Sequence, residues 1–508
     1  MDADPTASLV TLVRRELIRP GEPGDPDGEG WSFRHGLIRE VAYGSLPKWR
    51  RAELHERLAQ RAIERGDADV AAGIHLYRAA AARREAGERG HAVEDVAARA
   101  AAHLRRAGLA AYESEDMASA VSLLDLAQEL LPRAAPERVE LVLKLAEAAV
   151  LTGELRRGLE LFDEANALAD ELEDERLVAR ARLTAGRTRL WNELSVSPQE
   201  LLDEVERVIP VLERAGDYEG LAIAEMVSFH ALDRARLPNP EARLPIALDY
   251  ARKGGAGHLE HHVMRWISIT LPRGTVPVEE ALVRARELHE ASRSAAARAS
   301  TLGAIGLLLA MQGEFDEARA LEEEDQRLLV ELGLRQAAAA HNIAIAEVEI
   351  MAGDYQAAER ILRAGYEAVT ALEDRNGALN IAWRLGLVLV RQGGVDEAER
   401  FALIAASAQP TGFWIDLWWR VVVALVESHR GAAERVQAIV DEVSRMLGTV
   451  DESGMHVDAL LELAEALRIV GREAEAAPIL ADAARIAERL GYTVAARRAA
   501  EAQRALTA

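Results

Sequence analysis

Four side chains able to bind a metal stand within five positions of one another: His258, Glu260, His261 and His262. On a helix, His258 and His262 lie one turn apart and share a face, the spacing that two imidazole ligands require. No carboxylate or third imidazole stands at a supporting spacing, and Gly254-Gly255-Ala256-Gly257 immediately before reads as a turn. The alternative reading is a polar helix start. Phe413, Trp414, Trp418 and Trp419 place four aromatics in seven residues of a chain that is 4% aromatic. They offer contact area and indole donors to a peptide or aromatic ligand, or else large side chains for packing one helix against the next. Other chemistry finds no support. A phosphate-binding loop ends in Gly-Lys-Ser/Thr, and Lys48, Lys144 and Lys253 have no such context. A class III cyclase needs a mixed α/β domain with paired aspartates, and strand-forming runs are nearly absent. No serine, histidine and acid stand at a spacing that suits a triad, and there is no cysteine. The expectation is a protein that is not an enzyme and uses no cofactor.

The elements that would carry these residues are helices. The chain has 508 residues, 49% hydrophobic and rich in Ala, Leu, Glu and Arg, a composition that packs helices through small and aliphatic side chains. Its length exceeds what one core serves well, leaving several domains or an elongated solenoid. Sixty-one basic against eighty-four acidic residues give a net charge of −23, which repels a phosphate backbone. Residues 31–65 reverse that balance with eight basic and four acidic side chains, yet contain no complete helix-turn-helix. Nucleic acid is therefore not an expected partner. No basic-then-apolar signal pattern opens the chain, and no uncharged apolar run approaches roughly 18 residues. The expectation is a cytoplasmic protein without membrane contact.

A small residue recurs about every 40 positions: Gly108, Ala146, Gly186, Ser228, Ser268, Gly306, Ala346, Gly386, Ala424 and Ala464, with gaps of 38 to 42. Such a period marks a repeat array. Seven positions after the small residue, Gly153, Gly313, Gly353, Gly393 and Gly471 mark turns. Five further on a second small residue follows, as in Ala120, Gly158, Ala318, Ala358, Ala398 and Ala476. Each unit therefore reads as a helical hairpin, most plainly in Gly-Glu-Phe-Asp-Glu-Ala at 313–318 and Gly-Asp-Tyr-Gln-Ala-Ala at 353–358. Around Gly186, Ser228 and Ser268 the turns carry Pro198, Pro238, Pro240, Pro272 and Pro277 instead, so helix boundaries there are less defined.

These hairpins resemble the tetratricopeptide repeat, with a period of 40 rather than 34 and helices longer by about one turn. The resemblance implies an all-α, right-handed superhelical solenoid of about ten hairpins over 91–490, capped by a helix at 491–508. It also implies which positions line the concave face: six and three before the small residue, and one and five after it. Those are Arg180, Arg187, Trp191, Phe229, Asp233, His262, Arg265, Trp383 and Trp418, with Trp419 turned toward a neighbouring repeat. Such an arginine and aromatic mixture suits an anionic or aromatic small molecule, or a peptide.

Residues 1–65 do not join the ladder. A helix around Leu9–Ile18, a Pro/Gly/Asp-rich stretch at 20–30, a short apolar piece at Trp31–Phe33 and helices near His35–Leu46 and Trp49–Glu64 precede a connecting helix in 66–90. Residues 33–43 (Phe-Arg-His-Gly-Leu-Ile-Arg-Glu-Val-Ala-Tyr) and 51–59 (Arg-Ala-Glu-Leu-His-Glu-Arg-Leu-Ala) resemble the end of the winged-helix module in STAND-type signalling ATPases. In that module His35 and His55 would be structural. The chain as a whole resembles the carboxy-terminal arm of bacterial signalling proteins that join such an ATPase to a class III cyclase or a transcriptional regulator. The resemblance implies a sensor or scaffold arm that binds a protein, peptide or small-molecule effector. An enzyme with a site in the central groove, or a fragment of a larger cyclase-like protein without a role of its own, are the alternatives.

Overall fold

The computed structural model describes residues 5–20, 31–65, 69–192, 196–235, 237, 240–292, 294–407 and 412–507. Residues 21–30 of the Pro/Gly/Asp-rich stretch, and Pro238, lie outside them. The described chain is almost wholly helical, and by backbone proximity it divides into two units: residues 1–107 with 125–131, and residues 108–124 with 132–508.

The first unit begins with α1 (Pro5–Arg14), which ends four residues earlier than the sequence predicts because Glu16 turns left-handed (φ 56°) and stops the helical run. Ile18–Pro20 then pairs antiparallel with Trp31–Phe33, Ile18 standing opposite Phe33. The helices α2 (Gly36–Ser45), α3 (Lys48–Arg65) and α4 (Asp69–Glu85) follow. His55 is buried, with Nε2 3.0 Å from the Tyr43 hydroxyl and Nδ1 3.1 Å from His75 Nδ1. Burial, with His75 and Arg78 alongside, holds it neutral at about 4. The face of this unit formed by 31–49 is apolar and open to solvent: Trp31, Phe33, Leu37, Val41 and Trp49 are all exposed, Leu37 by 74%.

Ten hairpins follow the order that the small-residue ladder predicts, and a final helix closes the series. They are α5/α6 (His91–Glu113, Met117–Leu130), α7/α8 (Pro136–Leu151, Leu155–Leu172), α9/α10 (Glu175–Asn192, Pro198–Ala215), α11/α12 (Tyr218–Ala235, Arg243–Gly254) and α13/α14 (Gly257–Thr270, Val278–Ala291). Next come α15/α16 (Ala295–Gln312, Phe315–Glu331), α17/α18 (Arg335–Ala352, Tyr355–Ala371), α19/α20 (Arg375–Arg391, Val395–Ala406), α21/α22 (Phe413–His429, Ala433–Leu447) and α23/α24 (Gly454–Ile469, Glu473–Leu490), before α25 (Thr493–Thr507).

The ladder works by close approach. A Cβ on Gly186 would lie 2.5 Å from Leu201, and one on Gly108 2.6 Å from Leu124, so the first helix presses its bare backbone onto the second. Gly313 ends α15 at φ 97°, a conformation side chains resist, and its N–H closes onto the Ala310 carbonyl. In the three proline-bearing repeats the second helix starts late, at Pro198, Arg243 and Val278, with 3₁₀ turns at Pro240–Ala242 and Leu271–Arg273. Ala295–Gln312 is long and apolar enough to cross a membrane by length and composition, but 72% of that window is buried. It is a core helix of the array.

Within the larger unit, helices ten apart meet: α7 touches α17, α9 touches α19, α11 touches α21 and α15 touches α25. Five hairpins therefore bring the inner faces of the array back against one another. Two acids complete this closure. The Glu113 carboxylate accepts the His258 N–H at the start of α13 (2.9 Å), and Glu115 accepts the hydroxyl of Ser294, the N-cap of α15. Both place a negative charge at a helix N-terminus.

Candidate functional site

The concave-face positions do face inward, but the approach of helices ten apart covers most of them instead of leaving an open groove. Arg180, Arg187, Phe229, Trp383 and Trp418 are buried, and Trp191, Asp233, His262 and Arg265 are partly so. They separate into distinct surroundings. On α9, Arg180 donates to Glu219 and lies 3.5 Å from Glu140 and 3.7 Å from Asp217, a fully neutralised cation that joins neighbouring hairpins.

One helical turn or so along the same face, four of the predicted residues come together. Trp191 stacks on Trp266 of α13 (centroids 5.5 Å apart, planes at 22°). His230 of α11 stands edge-on between them, 5.2 Å from Trp191 and 4.6 Å from Trp266. Phe229 packs 4.8 Å from the His230 ring and 5.5 Å from Trp266. His262 shares this space, its ring 6.4 Å from that of His258. Arg187 reaches Glu147 of α7 with Nη2. Helical geometry makes this possible: Arg187 and Trp191 are four apart on α9, as are His258, His262 and Trp266 on α13, so each set stacks along one face.

The electrostatics follow from burial. His230 and His262 are held well below the usual imidazole range, chiefly by desolvation and then by the Arg187 charge. His258 is held at about 4 by burial against the pull of Glu147. Near neutral pH these rings are uncharged, with one nitrogen able to donate and one able to accept. Arg187 Nη1, Trp191 Nε1, His230 Nδ1, His258 Nδ1 and His262 Nε2 are all buried without a hydrogen-bond partner. Buried polar atoms without partners are rare in folded proteins, and five in one neighbourhood mark a surface shaped for something other than packing.

The four side chains at 258–262 do not converge as one ligand set. His261 turns instead to Glu115 (3.6 Å), and Glu260 accepts from Arg252 (2.7 Å), which leaves only His258 and His262 facing inward.

Further along the axis the remaining candidates occupy a second cluster. Trp383 and Trp418 stack at 4.7 Å with planes 13° apart, and the Arg384 guanidinium lies 3.9 Å above the Trp383 ring. Trp419 donates from Nε1 to Asp416 (3.2 Å) and carries Arg420 over its face at 4.2 Å. Asp233 is linked to this region through charge. Burial, reinforced by Glu241, pushes its carboxyl up to about 6 against Arg273 and Arg234. Arg265 is half-buried and acts electrostatically on Asp325 and Glu115. Sequence reasoning missed Glu147, His230 and Trp266. Glu147 stands at an inner position, one after Ala146, while His230 and Trp266 each lie next to one, so the face is wider than four positions per repeat.

No protein-family model matches the chain, and no curated protein matches it in sequence. Among solved structures it is similar to a Rap protein complexed with competence and sporulation factor, at 13% identity and a TM-score of 0.40 over 77% of this chain and 99% of that one. It is also similar to the Cut9–Hcn1 hetero-tetramer of APC/C (13%, 0.39, 90% of this chain and 97% of that one). A third is a STAND protein with a tetratricopeptide repeat sensor from Pyrococcus horikoshii (14%, 0.35), of which 56% is covered by 85% of this chain.

Proposed function

We propose that this chain is a non-catalytic recognition scaffold that takes a peptide or small anionic aromatic ligand between the inner faces of α9, α11 and α13. The observation that carries the reading is the set of five partnerless buried polar atoms around the Trp191 and Trp266 rings. A guanidinium N–H, an indole N–H and neutral imidazoles offer donors to a carboxylate, while the indoles offer faces to an aromatic group.

Because the cluster is covered, a ligand enters only when the coil opens. One contact between turns, an exposed ion pair, adds little resistance. Arg156 meets Glu373 at 2.7 Å with side chains 76% and 58% exposed, a pair worth at most about 1 kcal/mol. Ligand binding then shifts the array between a closed and an opened pitch, as expected of a quasi-one-dimensional repeat protein with differential affinity for two arrangements. The apolar face at Trp31, Leu37, Val41 and Trp49 gives a protein partner its docking surface. The motifs at 33–43 and 51–59 further support a sensor arm working on a bacterial nucleotide-binding signalling or transcription-regulating partner.

The test is a short-peptide array probed with purified full-length protein and with a W191F/H262Q variant. Acidic, aromatic-containing peptides should bind the parent and bind the variant at least about tenfold more weakly. Peptides that bind both proteins equally, or no peptide bound by the parent, would overturn the proposal.

A further inference from the structure

The ladder assigns the repeats a set of core positions, and one junction breaks the rule twice on one helix. Four residues after the second small residue, the array places Leu124, Phe162, Leu362, Ala402 and Leu480, all buried; at α16 the same position is Glu322, fully buried. Seven after it come Ala127, Ala165, Gly365, Ala405 and Ala483; at α16 it is Asp325, 2% exposed. Five before the first small residue stand Leu141, Ala181, Ile223, Val263, Ile381 and Ala459, with His103, Thr301 and Trp419 in three further repeats; at α17 it is His341. The two acids and this histidine converge. Their donor atoms lie within 4.8 Å of one another, with His341 Nε2 3.0 Å from Glu322 Oε2 and Nδ1 3.4 Å from Asp325 Oδ2.

We propose that Glu322, Asp325 and His341 bind one divalent transition-metal ion that staples α16 to α17 across the hairpin junction. Glu322 Oε1 and Asp325 Oδ1 are buried without a hydrogen-bond partner, and Glu322 Oε2 meets only the His341 ring. Two carboxylates in the core are costly unless a cation meets them. The one arginine acting on Asp325, Arg265, does so at a distance without an ion pair and leaves Glu322 to the imidazole alone.

Space has been cleared as well. A Cβ on Gly303 of α15 would lie 2.5 Å from Asp325 Oδ2, and one on Gly306 2.7 Å from Glu322 Oε1. Gly306 belongs to the ladder of small residues, whereas Gly303 is the one glycine three positions before a ladder residue. The imidazole is oriented too. With its proton on Nε2 it donates to the Glu322 carbonyl at 3.2 Å and leaves the Nδ1 lone pair for a metal, as outer contacts of ligating histidines commonly arrange. One nitrogen and two carboxylates suit Zn²⁺, Fe²⁺, Mn²⁺ or Co²⁺, and the remaining coordination positions fall to water.

The experiment strips the full-length protein with chelator and titrates it with Zn²⁺ by calorimetry, and with Co²⁺ by its visible spectrum. The expected result is one ion per chain with a rise in Tm. The variant E322L/D325A installs the residue types that the other repeats carry, so it should fold as well as the parent and bind more than about 100-fold more weakly. H262Q, in the other imidazole cluster, should bind Zn²⁺ as the parent does. No saturable binding at millimolar metal, or binding that E322L/D325A leaves unchanged, would overturn the proposal.

Discussion

Two stacked tryptophan pairs occupy the inner face of the array, and they differ in how their neighbours are satisfied. At Trp383 and Trp418 the adjacent cation is fully engaged. Arg384, 2% exposed, bonds Glu347 through Nε (3.0 Å) and Nη2 and donates from Nη1 to the Asn380 carbonyl at 2.9 Å. Arg384 and Arg273 together hold the Glu347 carboxyl below its usual range against burial. At Trp191 and Trp266 the cation keeps Nη1 unengaged, and three imidazoles stand nearby with unpartnered nitrogens. The same face of the array thus serves cohesion in one place and, under the proposed function, recognition in the other. The distinction lies in the cation and its imidazole neighbours, since both places have a stacked indole pair and the Nε1 atoms of Trp191, Trp383 and Trp418 are all buried without partners.

That contrast breaks most readily at Arg384. R384A leaves Glu347 buried without its main partner and should lower unfolding stability by about 3–5 kcal/mol, read by denaturant titration. Its ligand affinity should be unchanged. A loss below about 1 kcal/mol would mean that the second cluster is not a cohesive one.

Acidification probes the first cluster. His258 has a folded pKa of about 4 against 6.5 unfolded, so its contribution is complete above pH 6.5 and is lost as the pH falls toward 4. The unfolded chain binds the extra proton in that window, at a cost on the order of 3 kcal/mol. His230 and His262 act in the same direction. Asp233, raised to about 6, opposes them by regaining stability as the pH falls from 6 toward 3.8. Melting curves from pH 7 to 4 should therefore show a net fall, reduced in H258Q.

A smaller effect of opposite sign is expected at His230, which is 2% exposed. H230L replaces an unsatisfied imidazole with an apolar group, so stability should stay level or rise by about 1 kcal/mol while ligand binding weakens. A marked loss of stability would make His230 a packing residue like Trp383. The smallest effect belongs to the contact between turns, where R156A should change stability by less than about 1 kcal/mol.

The hairpins were legible because their signal is local. A glycine or alanine pressed against the next helix, and a glycine in the turn, sit at fixed offsets within one repeat. The identity of inner positions was legible for the same reason, as Arg187, Trp191, Phe229 and His262 show. What those residues meet was not. The return of α17 onto α7 sums a small rotation at every junction, and the reach of Glu113 and Glu115 to α13 and α15 depends on that sum. Glu322, Asp325 and His341 were hidden differently. Each is unremarkable in its own helix, and only alignment of the repeats on the ladder shows that Glu322 and Asp325 stand where other repeats carry apolar or small residues.

The most direct measurement is hydrogen exchange on the full-length protein with and without the tightest peptide from the array. The account predicts added protection in Glu175–Asn192, Tyr218–Ala235 and Gly257–Thr270, with little change in Arg375–Arg391 and Phe413–His429. Protection confined to the latter two helices, or bound peptide with no change in the first three, would contradict it.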